Sequence, residues 1–223
     1  MNTMEFKNLL RDDQEIRQFS KRSITITKIK KIISQAQQAP SLLNSQPWRV
    51  YISLPDVTNK IRAAYYQAYT QGKPANFELK HFIPDGKWDI NEIKNMLNYS
   101  DSTQFLKEGK FSDYTAAEAE LYQAQILAVI TIPKVSPAWS IYDLGSFTQC
   151  LHLAAKDEGV DSLNIYSATQ YPEITRKYLD IPRSETIAMI VALGHRAKEK
   201  NSTLNSLPTL RLPFKNISEF INE

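Results

Sequence analysis

The chain has 223 residues, of which 42% are hydrophobic, 10% aromatic and 23% charged, and its formal net charge is +3. This composition excludes a disordered chain and allows a sizeable core. The length suits one large domain, so we predict a single domain over 1–223. Acidic and basic residues are spread along the whole chain, so we expect no nucleic acid partner. Cys150 is the only cysteine, which excludes an internal disulfide.

Two further features of the sequence concern location. Residues 1–13 contain no apolar signal core. No apolar run reaches the roughly 18 residues that a membrane span needs. We therefore expect a cytoplasmic protein without a membrane partner.

The N-terminal part of the chain is predicted to contain three helices and a strand. Apolar spacing predicts a helix over 5–11. Thr25 is a plausible N-cap for a second helix, which Pro40 prevents from continuing. The alternation in "RVYISL" predicts a strand over 49–54, and another helix is expected over 56–69.

Residues 73–113 are the hardest to interpret, because glycines and prolines stand among aromatic and charged residues. One interpretation is an insertion of short helices that forms a lid. The alternative is a plain surface excursion of the chain.

Regular patterns return in the C-terminal half. We predict a helix over 116–124, the strand "ILAVITI" and a long helix over 142–158 that Gly159 caps. The long helix contains His152, which we expect to be packed in the core or at an interface. "SLNIYSA" resembles a short strand, and Pro172 suits the first turn of a late helix.

Two observations complete the predicted architecture. "TIAMIVALG" is apolar throughout, as in a strand covered on both faces. About four strands among many helices indicate an α/β or α+β fold. The extension over 195–223 is polar with a late apolar run, and we expect it to pack on a neighbouring subunit.

The segment "QQAPSLLNSQPWRVYI" is unusual for a connector, because Pro40 and Pro47 bracket a short polar stretch. Prolines limit the backbone entropy that is lost when such a segment is held in place. One explanation is a rigid helix-to-strand turn in which Asn44 satisfies backbone groups. The other is a binding wall that presents Ser41 and Asn44 to a ligand.

The stretch "APSLLNSQPWRV" closely resembles the signature of the FMN-dependent nitroreductase family. Supporting stretches follow the family's order; they are "MEFKNLL", "EIRQF", "DLGSFTQCLHLAAKDEGVDS", "YPEITRKYLDIP" with "IAMIVALGH", and "LPTLRLP". The resemblance implies an α+β fold with a central, mostly antiparallel sheet flanked by helices. It also implies an intertwined homodimer with FMN at the subunit interface.

The resemblance assigns the proline-bracketed segment to a wall of the flavin site. Pro40 would limit its freedom, and Ser41 and Asn44 would contact the ribityl chain or ring edge. Leu42 and Leu43 would pack on the flat apolar ring. These roles are implied by the family, and they favour the binding interpretation of the segment.

Other FMN contacts are implied further along the chain. A backbone N–H of Tyr166 or Ser167 would contact flavin N5, and Arg17 would lie near N1 and O2. Arg211, with Thr209, would hold the phosphate. The implied cofactor-binding set is Gln14, Arg17, Pro40, Ser41, Leu42, Leu43, Asn44, Ile165, Tyr166, Ser167, Thr209 and Arg211.

The sequence departs from the family at one cofactor contact. Asp13 and Glu15 stand where the family has a phosphate-binding Arg and Ser. Carboxylates facing a phosphate are repulsive. Either they turn away and nearby cations hold the phosphate, or flavin binds weakly.

The implied activity is ping-pong transfer of hydride from NAD(P)H, through flavin N5, to a nitroaromatic or quinone-type acceptor. No side-chain catalyst and no metal are implied. A second hypothesis is a non-catalytic binding module with weak or lost FMN binding, and a third is different flavin chemistry such as oxidation or dehalogenation.

Overall fold

The structure is a computed structural model that describes residues 6–12, 14–79, 88–102, 111–198, 204–206 and 211–221. Within these ranges, four strands form one antiparallel sheet in the order β1–β2–β4–β3. The strands are β1 (Arg49–Ser53), β2 (Ile126–Pro133), β3 (Asp161–Asn164) and β4 (Glu185–Gly194). The predicted α+β class with an antiparallel sheet flanked by helices is confirmed.

Helices cover both faces of this sheet. The described helices are α1 (Phe6–Asp12), α2 (Ile26–Ala36), α3 (Pro55–Thr70), α4 (Ile90–Ser102), α5 (Phe111–Ala119), α6 (Ala138–Asp157) and α7 (Pro172–Leu179). α3 and α7 contact each other on one side of the sheet, and α2 and α6 contact each other on the other side.

Alternate side chains of the central strands enter two separate cores. Leu127 and Val129 of β2 join the core that contains Tyr65 of α3. Ala128 of β2 joins the opposite core, where Trp48 stacks on Phe147 of α6 with 4.8 Å between ring centroids. Burial of each such apolar side chain stabilises the folded state by about 1.5–3 kcal/mol. Because both faces of the sheet carry these side chains, each face needs a covering layer of helices.

Several predicted helix ends are confirmed. Thr25 Oγ1 accepts a hydrogen bond from Lys28 N at 3.3 Å and caps α2. Pro172 occupies the first turn of α7. Gly159 has a φ of +68° just beyond α6, a conformation that suits glycine. α6 itself begins at Ala138, earlier than predicted, because Pro137 precedes it in an extended conformation.

The predicted helix over 116–124 is wrong in its extent. α5 ends at Ala119, and the chain then turns through Leu121, Tyr122 and Gln123, all with positive φ. Leu121 and Tyr122 are buried, and Tyr122 O accepts a hydrogen bond from Phe19 N at 3.1 Å. Tertiary packing therefore overrides the local helical pattern.

The first part of the 73–113 region is firmly attached to the fold. Asn76 N donates to Gln170 O at 2.8 Å. The Glu78 carboxylate accepts from Arg176 Nε at 2.9 Å and from Ile187 N at 2.8 Å. α4 confirms a helix further along. Residues 80–87 and 103–110 lie outside the described residues, so a lid stays a prediction.

The predicted C-terminal extension leaves apolar side chains in solvent. The exposed residues of 211–221 include Leu212, Phe214, Ile217, Phe220 and Ile221. Packing on a neighbouring subunit stays a prediction. Among the described helices, none combines the length and apolar character needed to cross a bilayer.

We predict that Gly194→Ala destabilises the protein. A methyl group at Gly194 would lie 2.5 Å from Cδ1 of the buried Phe19. Overpacking of this kind costs roughly 1–3 kcal/mol of unfolding free energy, measured by urea denaturation. Gly145→Ala is the control, because that helical position has no heavy atom within 4 Å and alanine should stabilise it by about 0.5–1 kcal/mol. Equal stability of both variants would contradict this packing account.

Candidate functional site

Three distant parts of the chain meet beside β3. Ile16 N donates to Ser162 O at 3.4 Å. Asn205 Oδ1 accepts from Arg17 N at 2.8 Å and from Gln18 N at 2.9 Å, and Asn205 Nδ2 donates to Gln18 O at 2.9 Å. The 14–17 segment is therefore held between β3 and the 204–206 turn.

The charges of this segment are paired. The Glu15 carboxylate forms an ion pair with the Arg17 guanidinium, whose side chain is 10% exposed against 52% for Glu15. The Glu15 carboxylate therefore faces a cation. Both expectations for FMN binding stay predictions. Gln14 is exposed, and Asp13 lies outside the described residues.

The turn after β3 presents a backbone donor. Ile165 is buried and its N–H donates to Ile190 O at 2.8 Å, while Ala168 N donates to Ile165 O and Thr169 N to Tyr166 O. In the described part of the chain, the Ser167 N–H has no acceptor, as expected at the start of a helical turn. A donor of fixed direction is therefore available here.

The environment of this turn is partly buried. Gln170 Nε2 donates to Tyr65 Oη at 2.6 Å, which attaches the turn to α3, and burial raises the pKa of Tyr65. Tyr166 is 42% exposed. Burial also raises the pKa of Tyr166, and the Glu15 carboxylate raises it further, whereas the Asn164 side chain lowers it.

The proline-bracketed segment is held by a different part of the fold. Asp143 of α6 is 3% exposed, and its carboxylate accepts from Leu42 N at 3.2 and 3.1 Å and from Ser45 Oγ at 3.3 Å. A buried carboxylate needs such donors, because an unpaired charge in the core is costly. Asp143 therefore fixes the 41–46 turn.

The 41–46 turn is conformationally strained. Leu43, Asn44 and Gln46 have φ values of 51°, 58° and 42°. Each residue in this left-handed region costs on the order of 1–2 kcal/mol. Leu43 is 95% exposed, and Leu42 and Pro40 are also exposed. The strained backbone of this turn thus projects two leucines outward.

Ser41, not Asn44, satisfies a backbone group of this turn. Ser41 Oγ accepts from Gln46 N at 2.9 Å. Asn44 Oδ1 accepts from the side-chain Nε2 of Gln46, also at 2.9 Å. The structural explanation given for Asn44 is therefore wrong in detail, although the rigid turn is real.

The predicted site residues form two groups with separate attachments. One group contains the 14–17 segment and the 165–167 turn, which meet beside β3. The other is the 41–46 turn, attached to the start of α6. Arg211 is exposed, and Thr209 lies outside the described residues.

Sequence analysis did not assign roles to Asp143 and Asn205. The only local signal for Asp143 was an acidic residue in the otherwise apolar stretch "IYDLGSF".

A cavity of about 380 Å³ opens beside Tyr166. Apolar side chains of α6, β4 and the 76–79 stretch form much of its wall. Its polar groups include Tyr166, Asn164 and His152. We call it the Tyr166 cavity; its size and mixed lining suit a small organic molecule.

Comparisons with known proteins agree with this architecture. The model of the Nitroreductase family matches residues 14–195, and the chain belongs to this family. It is 23% identical to the chloronitrobenzene nitroreductase of Comamonas testosteroni, over 97% of this chain and 96% of that protein. It is 24% identical to the nitrobenzene nitroreductase of Ectopseudomonas oleovorans, with the same coverage.

A solved structure shares the fold closely. The FMN-dependent nitroreductase NfnB from Mycobacterium smegmatis, in complex with NADPH, superposes with a TM-score of 0.87. The alignment covers 97% of each chain at 17% sequence identity. The family resemblance of the sequence is thus confirmed.

We predict that Asp143→Ala loosens the 41–46 turn. Loss of the carboxylate removes hydrogen bonds worth roughly 1–3 kcal/mol, so the Leu42 amide should exchange its hydrogen about 10–100-fold faster. Hydrogen exchange measured by NMR tests this. Asp157→Ala, at the other end of α6, is the control and should leave the Leu42 amide unaffected. If the Leu42 amide exchanges at an unchanged rate in Asp143→Ala, Asp143 does not hold the 41–46 turn in place.

Proposed function

We propose that this protein is a homodimeric FMN-dependent oxidoreductase that transfers hydride from NAD(P)H to nitroaromatic or quinone-type acceptors. The observation that carries the proposal is the convergence of the 14–17 segment and the 165–167 turn, both inside the family match, beside a cavity for a small molecule. The names of the relatives support nitroaromatic compounds as acceptors.

The donor set of this site fits a flavin. The Ser167 N–H is a fixed donor without an acceptor among the described residues, and it suits the ring nitrogen N5. Ile165 supports this turn from the core. When bound, FMN would take hydride from the nicotinamide and pass it to the acceptor in alternate half-reactions. The protein's part is to bind, orient and polarise, so no side-chain acid or base is assigned.

Two arginines would supply positive charge to the flavin. Arg17 would lie by the ring edge at N1 and O2, where reduced flavin carries negative charge. Arg211, with Thr209, would hold the phosphate. Gln14, which is exposed in the 14–17 segment, would also contact the cofactor. The pairing of Glu15 with Arg17 lessens the repulsion that a free carboxylate would exert on a phosphate.

A second subunit would complete the site. The 41–46 turn and the 14–17 segment are attached to different parts of one chain, and the turn projects Leu42 and Leu43 outward. The exposed apolar residues of 211–221 offer further surface for a partner. We infer that the turn of one subunit forms a wall of the other's flavin site. A single-chain mass in solution at micromolar concentration would contradict this arrangement.

Glu15 also favours the second hypothesis, a binding module with weak or lost FMN binding. It partly neutralises the buried Arg17 and brings a negative charge to the site. The cytoplasmic location also stays a prediction.

Steady-state kinetics test the proposed activity. With NADPH and nitrobenzene as variable substrates and FMN added, a ping-pong enzyme gives parallel lines in double-reciprocal plots. Quinone acceptors should give the same pattern. If the FMN-loaded protein is reoxidised by no nitroaromatic or quinone acceptor, the reductase proposal is wrong and the binding-module hypothesis takes its place.

Removing the charge of Arg17 and removing the charge of Glu15 should shift the flavin midpoint potential in opposite directions. Arg17→Ala removes a cation that stabilises reduced flavin, so the midpoint potential should fall by tens of millivolts, since roughly 1.4 kcal/mol corresponds to 30 mV. Glu15→Gln removes the opposing charge and should raise it. Spectroelectrochemistry measures both, with the exposed Arg183→Ala as control. An unchanged potential in Arg17→Ala would exclude Arg17 from this role.

A further inference from the structure

A second and larger cavity adjoins the Tyr166 cavity. Its volume is about 800 Å³, and Leu79 and Ile141 line both cavities. Thr186 of β4 lines the larger cavity and Met189 lines the Tyr166 cavity, so the two follow one another along β4. Three residues of a strand span about 10 Å. We call the larger one the distal cavity, because it continues away from the turn proposed to contact the flavin.

Much of the lining of the distal cavity is apolar. Its apolar residues are Phe77, Leu79, Ile132, Pro133, Ile141 and Pro172. Because Leu79 and Ile141 belong to both cavities, apolar side chains stand where the cavities meet. An aromatic ring that lies against them loses apolar surface to water, which favours binding. The junction therefore suits an aromatic molecule long enough to reach from one cavity into the other.

Arg176 lines the distal cavity, but its donors are already used within the protein. Its Nε and Nη2 donate to the Glu78 carboxylate at 2.9 and 2.6 Å. Its Nη1 donates to the carbonyl oxygens of residues 181 and 182, and its Nη2 also donates to that of residue 185. These five hydrogen bonds occupy every N–H group of the guanidinium. Arg176 and Glu78 thus form a neutral part of the wall.

Two further carboxylates of the distal cavity also have cationic partners. Glu185 is buried, forms an ion pair with Arg49 at 3.5 Å and accepts a hydrogen bond from Tyr51 Oη at 3.0 Å. Glu173 forms an ion pair with Lys73. Paired carboxylates repel an anionic ligand less than free carboxylates do.

Lys134 and Arg183 supply positive charge that these pairs do not cancel. Both residues are exposed and line the distal cavity. Lys134 N donates to Ser184 O at 2.8 Å, which holds the two chain segments side by side. In the part of the chain that the structure describes, neither side chain has an acidic partner. This end of the distal cavity therefore attracts anions.

We propose that Lys134 and Arg183 bind the carboxylate of an elongated aromatic electron acceptor, whose nitro group or quinone carbonyl lies in the Tyr166 cavity. The inference rests on the proposed function and names the class of its acceptor. Lysine and arginine both form charge-assisted hydrogen bonds to carboxylates. The spacing of about 10 Å along β4 requires more than one ring between the reducible group and the carboxylate.

Matched acids and amides test this acceptor class. With the FMN-loaded protein, 4′-nitrobiphenyl-4-carboxylate should have a kcat/KM about tenfold above that of its carboxamide, because each exposed ion pair contributes roughly two- to fivefold. The shorter 4-nitrobenzoate cannot reach both ends and should differ from 4-nitrobenzamide by less than about twofold. Equal values for the biphenyl acid and amide, or an equal gain for the short acid, would overturn the proposal.

Replacement of both cations should abolish the preference for the biphenyl acid. Lys134→Ala combined with Arg183→Ala should lower kcat/KM for the acid about tenfold and for the amide less than twofold. High salt should reduce the preference of the unmodified protein, because exposed charges are screened. Lys30→Ala combined with Lys60→Ala, two exposed lysines that line neither cavity, is the control. An undiminished preference in the Lys134 and Arg183 double variant would overturn the proposal.

The flavin should be unaffected by these two cations. The double variant should keep the flavin midpoint potential of the unmodified protein, and exchanging the residues as Lys134→Arg with Arg183→Lys should retain most of the preference for the acid. Because a phosphate of NADPH is also an anion, the rate of flavin reduction by NADPH is the second readout and should change less than twofold. A loss confined to NADPH would assign the cations to the nucleotide and overturn the proposal.

Direct binding separates this proposal from the proposed function. Isothermal titration calorimetry of the FMN-loaded protein with the biphenyl acid, without NADPH, requires no turnover. Binding that the double variant weakens, in a protein that reduces no acceptor, would refute the proposed function and still support the anion site. Turnover without any preference for the acid would overturn the anion site and still support the proposed function.

Discussion

Burial of the central strand pair on both faces is the constraint on which the rest of the structure depends. β2 and β4 alternate their side chains into two separate cores, so each face of the sheet needs a helical layer. α6 supplies one layer and α3 with α7 the other. The same elements carry the site: β3 pairs with β4 and leads into the 165–167 turn, and α6 carries both Asp143 and His152.

The site is assembled largely through backbone groups. Ile16 N, Arg17 N, Gln18 N and Leu42 N all donate hydrogen bonds that hold a site segment in place. The donor proposed for the cofactor, Ser167 N–H, is also a backbone group. A backbone donor is available whatever side chain stands there, which is in keeping with a fold shared at 17% sequence identity. The ionisable side chains, Asp143 and the Glu15–Arg17 pair, orient these segments.

Local patterns made much of the fold predictable. Thr25, Pro40, Gly159 and Pro172 end or begin helices for reasons that lie within a few residues, and uninterrupted apolar sequence identified β4 as a covered strand. The turn through Leu121–Gln123 was not predictable, because Tyr122 O is fixed by Phe19 N, far away in sequence. Local helical preference predicts a continued helix at these residues, whereas the chain turns.

The segments of the candidate site could be predicted from the sequence, but the residues that hold these segments in place could not. The proline bracket indicated a rigid turn, and the structure shows one. The residues that fix the segments are remote: Leu42 and Asp143 are 101 positions apart, and Arg17 and Asn205 are 188 apart. The orientation of Glu15 depended on three-dimensional packing, since the sequence allowed a carboxylate facing toward or away from a phosphate.

The most direct test of the central claim is the amount of FMN that the purified protein retains after incubation with FMN and desalting, measured by visible absorbance. A flavin site in which Glu15 is paired with Arg17 predicts close to one FMN per chain. A colourless protein that retains none of the added FMN would contradict the account, and would mean that the acidic residues of the 13–15 stretch prevent cofactor binding.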